Sequence, residues 1–399
     1  MAYSSVMRAI AGVDGPLGVI DLAALDRNIA ALRRRAGGLP IRVATKSVRV
    51  PAVLDRVLAA DGYRGLLAFS LPEALDLHRR GFRDILVAYP TVHRGALRAL
   101  ATDADALSHI TLVVDSSTGV DLVLAALRDH APGSRPPVRL CIEVDASFRP
   151  APRHTRGRVH LGARRSPVRG SAEALALVEQ IASRPGCRLV GVLSYEGQIA
   201  GLGDAGADPR ALVVRSVRRL SIAELAERRA RVIADIRAAA DLEFVNDGGT
   251  GSLESSVAEG TLTEVAAGSG LLSPHLFDGY RGFRHEPAAF FATPVVRVPA
   301  PGWLTVYGGG WVASGPPGTD RLPVPVWPPG LRYAPTEGPS EVQTPLHGPG
   351  TAELAIGDHV LFRHAKAGEL AEHLTEYHVV DDGTVVATWP TYRGSGWTH

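Results

Sequence analysis

The chain has 399 residues, of which 45% are apolar and 21% charged, the composition of a folded globular protein and not of a disordered one. That length exceeds one ordinary compact domain and suits a barrel followed by a smaller domain. Lys and Arg number 43 against 41 acids, and a net charge of +2 gives no general attraction to nucleic acid or an anionic membrane. The two cysteines, Cys141 and Cys187, have no metal-type spacing, and Cys141 reads as a small core residue in the apolar run Val138 to Val144. The amino terminus has no apolar stretch of the signal-peptide kind, and no run is long enough to span a bilayer, so the cytoplasm is the expected compartment.

From Leu17 to about Gly282, short apolar runs alternate with stretches of helical periodicity. Leu17 to Asp21 precedes a helix in which Leu25, Ile29 and Leu32 share a face. Ile41 to Thr45 ends on Lys46 and leads into a helix from Pro51. The alternation continues through Gly65 to Phe69, Ile85 to Ala88, Ile110 to Asp115, Val138 to Val144, Leu189 to Leu193, Glu243 to Asn246 and Glu264 to Ala267. Strands alternating with helices imply a parallel sheet, and about eight such units over roughly 250 residues match a closed (β/α)8 barrel. After about Arg284 the texture becomes all-β: Pro294 to Val298, Trp303 to Tyr307, His359 to Phe362, Tyr377 to Val380 and Thr384 to Trp389, separated by Gly/Pro-rich loops. The expected division is a barrel over 1–285 and a β domain over 286–399, with the first 15 or so residues able to pack against the latter.

Lys46 stands at the carboxyl end of a strand, where barrel enzymes place their chemistry, and lysine can form a Schiff base with a carbonyl. Asn246-Asp-Gly-Gly-Thr-Gly-Ser252 is the most glycine-rich loop of the barrel half, and Ala266-Ala-Gly-Ser-Gly270 closes the next strand with a second small-residue loop. Two such loops on successive strands can present backbone N–H groups to a phosphate, although turns of this composition are also common as plain structure. Tyr195 lies just beyond a strand end, and Arg164 and Arg165 form a basic pair. In the β half, His364 and Lys366 are two apart and are expected on one face of a strand.

These motifs together resemble the fold-type III pyridoxal phosphate enzymes, and among them the D-threonine aldolases and D-serine dehydratases, over nearly the whole chain. The matching stretches are Gly15-Pro-Leu-Gly-Val-Ile-Asp-Leu22, the strand ending at Lys46, Tyr195-Glu-Gly197, Gly248-Gly-Thr-Gly251, Thr263-Glu-Val-Ala-Ala-Gly-Ser269 and Gly357-Asp-His-Val360. The resemblance implies that Lys46 holds pyridoxal phosphate through a Schiff base. It implies that Thr250, Gly251, Gly268 and Ser269 hold the phosphate, that Gly249 is also at the cofactor, that Tyr195 lies beside the ring and that Arg165 lies near the ring hydroxyl. It further implies a head-to-tail homodimer acting on a small amino acid.

Two positions depart from that family. Its aldolases and dehydratases carry His-x-Cys or His-x-Asp for a divalent metal where this chain has His364-Ala-Lys366, and a lysine ammonium has no lone pair to give a metal. Gln198 stands where many relatives have a histidine after Tyr-x-Gly. The expected activity is cleavage or formation of the Cα–Cβ bond of a β-hydroxy D-amino acid, with Lys46, Tyr195, His364 and Lys366 as catalytic candidates and Lys366 in place of a metal. The alternatives are a D-amino acid dehydratase, a racemase and a non-catalytic carrier of the cofactor. A missing arginine near Ala266 weakens the racemase, and the separate β domain weakens the carrier.

Overall fold

The computed structural model describes residues 3–127, 135–150 and 159–398. They gather into two compact units. One comprises residues 33–46 and 57–268, and the other the described residues up to 32, then 47–56 and 269–398.

The first unit is a closed barrel of eight parallel strands, which bears out the fold expected from the sequence. In order they are β2 (Ile41–Ala44), β3 (Tyr63–Ala68), β4 (Ile85–Val87), β5 (Ile110–Val114), β6 (Val138–Val144), β7 (Cys187–Ser194), β8 (Phe244–Asp247) and β9 (Glu264–Ala267). The sheet closes where Ile41 pairs with Val265. Most strand residues are buried, as expected when helices cover a parallel sheet. Leu86, Val113, Cys141, Val190, Leu193 and Phe244 pack together as an apolar core cluster. Gly191 makes room for one of these side chains, since a Cβ there would stand 2.3 Å from the Phe244 ring.

The second unit is built on a mostly antiparallel sheet of nine strands. It holds β10 (Ala289–Ala300), β11 (Trp303–Tyr307), β12 (Val324–Trp327), β13 (Arg332–Tyr333), β14 (Gln343–His347), β15 (His359–Arg363), β16 (Glu376–Asp381) and β17 (Thr384–Pro390). Its ninth strand corrects one expectation. Leu17–Asp21, which the alternation assigns to the barrel, is β1 of this sheet, antiparallel to β10 and parallel to β16. Local periodicity fixes a strand's type, but its neighbours are set by contacts distant in sequence. All five residues of β1 are buried, and Val19 packs with Val6, Ile10, Phe290, Leu361 and Val380. Asp21 then caps the helix Leu22–Arg35, accepting from the Ala24 N–H at 3.0 Å.

Candidate active site

The carboxyl ends of the barrel strands bring together a lysine, two tyrosines, an arginine and a glutamate. Lys46 follows β2 in a short helical turn, Thr45–Ser47, which is pinned by the Thr45 hydroxyl donating to the Leu67 carbonyl at 3.1 Å. Lys46 Nζ donates to the Tyr89 hydroxyl at 2.8 Å. Tyr89 stands two residues beyond β4, on a segment held in line by the Ala88 N–H bonding to the Ala68 carbonyl at 2.9 Å. The Tyr195 ring, just past β7, lies 5.9 Å from Nζ. Arg165, on the connection after β6, lies over both phenol rings, 5.1 Å from the Tyr89 centroid and 4.7 Å from that of Tyr195. Such cation–ring contacts fix the guanidinium against aromatic faces. Glu143 from β6 stands 3.6 Å from Arg165.

Electrostatics separate these groups. Burial pushes the Tyr89 phenol upward, yet the Lys46 and Arg165 charges outweigh it and the net shift is downward. Tyr195 is pushed up to about 12 by burial and by the neighbouring Glu196. Glu143 is raised to about 7, with burial outweighing the pull of Arg165. Two phenols beside one guanidinium therefore differ in the proton chemistry open to them. Only Tyr89 is moved towards ionisation.

The glycine-rich loop after β8 has the form of an anion cradle. Gly248 adopts φ +100°, which favours glycine. The Thr250 carbonyl accepts from Arg35 and the Gly251 carbonyl from Arg218, each at 2.7 Å. A trans peptide points its N–H opposite its carbonyl, so tying the Thr250 carbonyl to Arg35 turns the Gly251 N–H the other way. Below the loop, Asp247 is paired with the buried Arg229 and accepts from Ser194 at 2.8 Å, while Glu196 accepts from Ser252 and Ser256. Burial first, then the Asp247 charge, raises Glu196 well above the usual carboxylate range. At the end of β9, a Cβ on Gly268 would lie 2.5 Å from the Ala44 carbonyl oxygen, so only glycine lets the two backbones approach here. Gly249 has Ala200 at 3.2 Å and the Tyr195 ring at 3.5 Å from the same construction. Ser269 follows Gly268 and opens the helical turn Ser269–Leu272 in the other unit. A lysine beside aromatic rings, with a glycine-rich loop in the same barrel, suits a phosphorylated aromatic aldehyde such as pyridoxal phosphate.

Lys46, Tyr195 and Arg165 are thus brought together as a sequence reading expects, and Tyr89 joins them unforeseen. Its only signal was an aromatic residue at a strand end, Ala88-Tyr89-Pro90. Glu143 likewise stood out only as an acid inside an apolar run. Gln198 donates to the Ala146 carbonyl at 2.7 Å and is buried, tying together the segments after β6 and β7.

His364 and Lys366 belong to the sheet unit. Strand β15 stops at Arg363, so both lie in the following loop and not on the strand face expected for them. They line a cavity of about 220 Å³ together with Phe291, Trp311, Glu369 and His373. Trp311 stacks on His373 at 5.0 Å and packs on Phe291 at 4.6 Å. His364 Nδ1 gives its proton to the Ala289 carbonyl at 3.1 Å, which leaves the lone pair on Nε2. Nε2 is buried without a hydrogen-bond partner among the described residues, and burial lowers the imidazole to about 3, keeping it neutral. Lys366 Nζ is held by Ser314 at 2.7 Å and Glu369 at 2.9 Å.

The ammonium of Lys366 has no lone pair to give a cation and is already tied to Glu369, and among the described residues His364 is not part of a three-ligand group at metal spacing. Among the described residues, the ligand spacing of a metal site occurs at His78, Asp105 and His109 in the barrel unit. There Arg83 already pairs with Asp105 at 3.1 Å, and His109 Nδ1 donates to the Asp105 carbonyl at 2.8 Å. Asp105 is thus already committed to Arg83.

Residues 20–211 match the family described as alanine racemase, N-terminal domain. The chain is 28% identical over 299 residues to a D-threonine aldolase of Arthrobacter sp, covering 73% of this chain and 70% of that protein. Among solved structures it is similar to a D-threonine aldolase from Filomicrobium marinum, with TM-score 0.78 and 24% identity over 96% of both chains. It is similar also to D-threo-3-hydroxyaspartate dehydratase from Delftia sp. HT23, with TM-score 0.70 and 24% identity over 96% of this chain and 98% of that one. At these identities the two structures speak for the fold. With the family match over residues 20–211 and the barrel-and-sheet architecture, the chain has the alanine racemase-like fold of the fold-type III pyridoxal phosphate enzymes.

Proposed function

We propose that the protein is a pyridoxal phosphate-dependent lyase that cleaves the Cα–Cβ bond of a β-hydroxy D-amino acid, and that it does so without a metal. The observation that carries the reading is Lys46 held at the barrel mouth between Tyr89 and Tyr195 with Arg165 over both rings. The 28% identity to a D-threonine aldolase supports the choice of reaction. Lys46 would bind the cofactor covalently, with Thr250, Gly251, Gly268 and Ser269 at its phosphate, Gly249 and Tyr195 beside its ring and Arg165 at its phenolic oxygen. When bound, the cofactor supplies an electron sink for the pair left on Cα.

His364 offers an acceptor for the β-hydroxyl of the substrate. Its Nδ1 proton is committed to Ala289, so Nε2 can accept a hydrogen bond from that hydroxyl and orient it for cleavage. Lys366 would face the developing alkoxide with positive charge where relatives hold a metal, its own position fixed by Ser314 and Glu369. A head-to-tail homodimer, in which the sheet unit of a second copy completes the barrel mouth, belongs to the same reading.

The test is product identification on D-threonine with the cofactor-loaded protein, with and without a chelator. Glycine and acetaldehyde at undiminished rate under chelator are the expected result. 2-Oxobutanoate and ammonia would replace the aldolase with a dehydratase, and revival of a chelated, inactive sample by added metal would sink the metal-free mechanism. Lys46→Ala should abolish covalent cofactor attachment and lower turnover at least a thousandfold, roughly the scale of losing a positioned amine that is both anchor and base.

A further inference from the structure

We propose that Tyr89 is a catalytic residue: as a phenolate it takes a proton from Lys46 Nζ, so that the lysine can attack a carbonyl as a neutral amine. The inference rests on the reading of Lys46 as the reactive amine and assigns it the proton acceptor that a nucleophilic lysine requires.

Four observations carry it. The Tyr89 oxygen is hydrogen-bonded to Nζ at 2.8 Å, so transfer needs no rearrangement. Arg165 lies over the Tyr89 ring at 5.1 Å, a second positive group against the phenol that must hold a negative charge. The bond from Ala88 to Ala68 fixes the segment that presents the phenol, so the contact is built by the barrel and not by a free loop. Tyr195, the other phenol of the site, presents its ring to Nζ at 5.9 Å, and its surroundings hold it protonated. Where neighbouring groups are pushed apart in acidity, the pair divides into different roles. Tyr89 is the one pulled down, by the two cations that flank it and against its burial.

The step balances. A Lys46 ammonium and a Tyr89 phenolate become a Lys46 amine and a Tyr89 phenol, with one N–H bond broken and one O–H bond formed. No charge leaves the pair. The nitrogen lone pair so released forms the bond to the incoming carbonyl carbon as the C=O π pair moves onto its oxygen. The reverse transfer reprotonates Lys46 when it is displaced by an amino acid.

Two measurements test this. The first is an ultraviolet difference titration of the cofactor-free protein and of Tyr89→Phe. One tyrosine of the wild type should ionise below the others, and that step should be missing from the variant. The second follows covalent loading of Lys46 by pyridoxal phosphate, trapped with borohydride and read by mass spectrometry across pH. Tyr89→Phe should load roughly a hundredfold more slowly near neutrality, the scale of one general base, with the deficit closing as alkaline pH deprotonates the lysine directly. Tyr89→His, which retains an acceptor, should recover part of the rate and guards against a folding defect in Tyr89→Phe. A low-titrating tyrosine that persists in Tyr89→Phe, or loading at the wild-type rate with the wild-type pH profile, would overturn the assignment. The titration needs no cofactor. A chain that never takes up pyridoxal phosphate would therefore sink the functional reading while leaving the tyrosine result to be judged by itself.

Discussion

Arg42 and Arg165 are guanidiniums at opposite ends of the same barrel. Arg42, near the start of β2, is buried and meets Glu264 through two bonds of 2.7 and 2.9 Å. It also reaches the Asp84 carboxylate at 3.0 Å and the Asp84 carbonyl at 2.8 Å. Asp84 is held below its usual range because Arg42 and Arg64 outweigh the cost of its burial. Arg165, at the other end, is partly exposed, rests on two phenol rings and keeps its carboxylate partner at 3.6 Å. The difference is one of saturation. At the floor each charge is spent on its neighbour, which fixes strand ends. At the mouth the charges stand further apart and are not saturated by their partners.

That contrast can be broken by chemistry at either end. Arg42→Met should cause the largest loss, about 3–5 kcal/mol in urea unfolding, because it strands a buried carboxylate. The Tyr89 ionisation should stay where it is. Adding Glu264→Leu should return much of the stability, since an apolar pair of similar volume avoids the desolvation of both charges. If Arg42→Met instead shifts the tyrosine titration, the two ends are coupled and the division fails.

Glu143→Gln sharpens the other side. Its folded-state value of about 7 lies above the ordinary 4.5. Wild-type apoprotein therefore has a stability contribution that is fully present below about pH 4.5 and lost as pH rises through about 7. The glutamine variant should lack that decline, a difference of about 3 kcal/mol between the two limits, read from unfolding midpoints against pH. A variant with the same slope as wild type would place the titration elsewhere.

Gly268→Ala should have the smallest effect, about 1–3 kcal/mol, since its methyl meets a backbone oxygen that cannot rotate away. Equilibrium dialysis should show weakened uptake of pyridoxal phosphate as the loop shifts. Unchanged uptake would remove Gly268 from the cradle.

How much of this was legible in the sequence follows the reach of each signal. Lys46 could be read because a β-rich run ends on it, and the loop at 248–251 because its glycines cluster. The barrel could be read because its alternation is local and repeated. Tyr89 could not, because an aromatic before a proline looks the same whether it packs or bonds a lysine 43 positions away. Lys366 was visible as a departure from the family's motif. Its pairing with Glu369 was not, because that depends on a loop's path and not on its composition. The spacing of His364 and Lys366 suggested a strand, but β15 stops one residue short of the histidine, and the loop sends both into a cavity.

The placement of β1 has a bearing on how the chain is made. Gly18 pairs with Phe291 on β10 and with Tyr377 on β16, so its two neighbours emerge from the ribosome only after all eight barrel strands. Those eight form a run uninterrupted by any strand of the sheet, and they can begin to close while β1 waits with an apolar face and unpaired peptide groups. A strand made before the whole barrel is thus sheltered only after it. During translation it is a segment for chaperones to cover, and a point at which overexpression would favour aggregation.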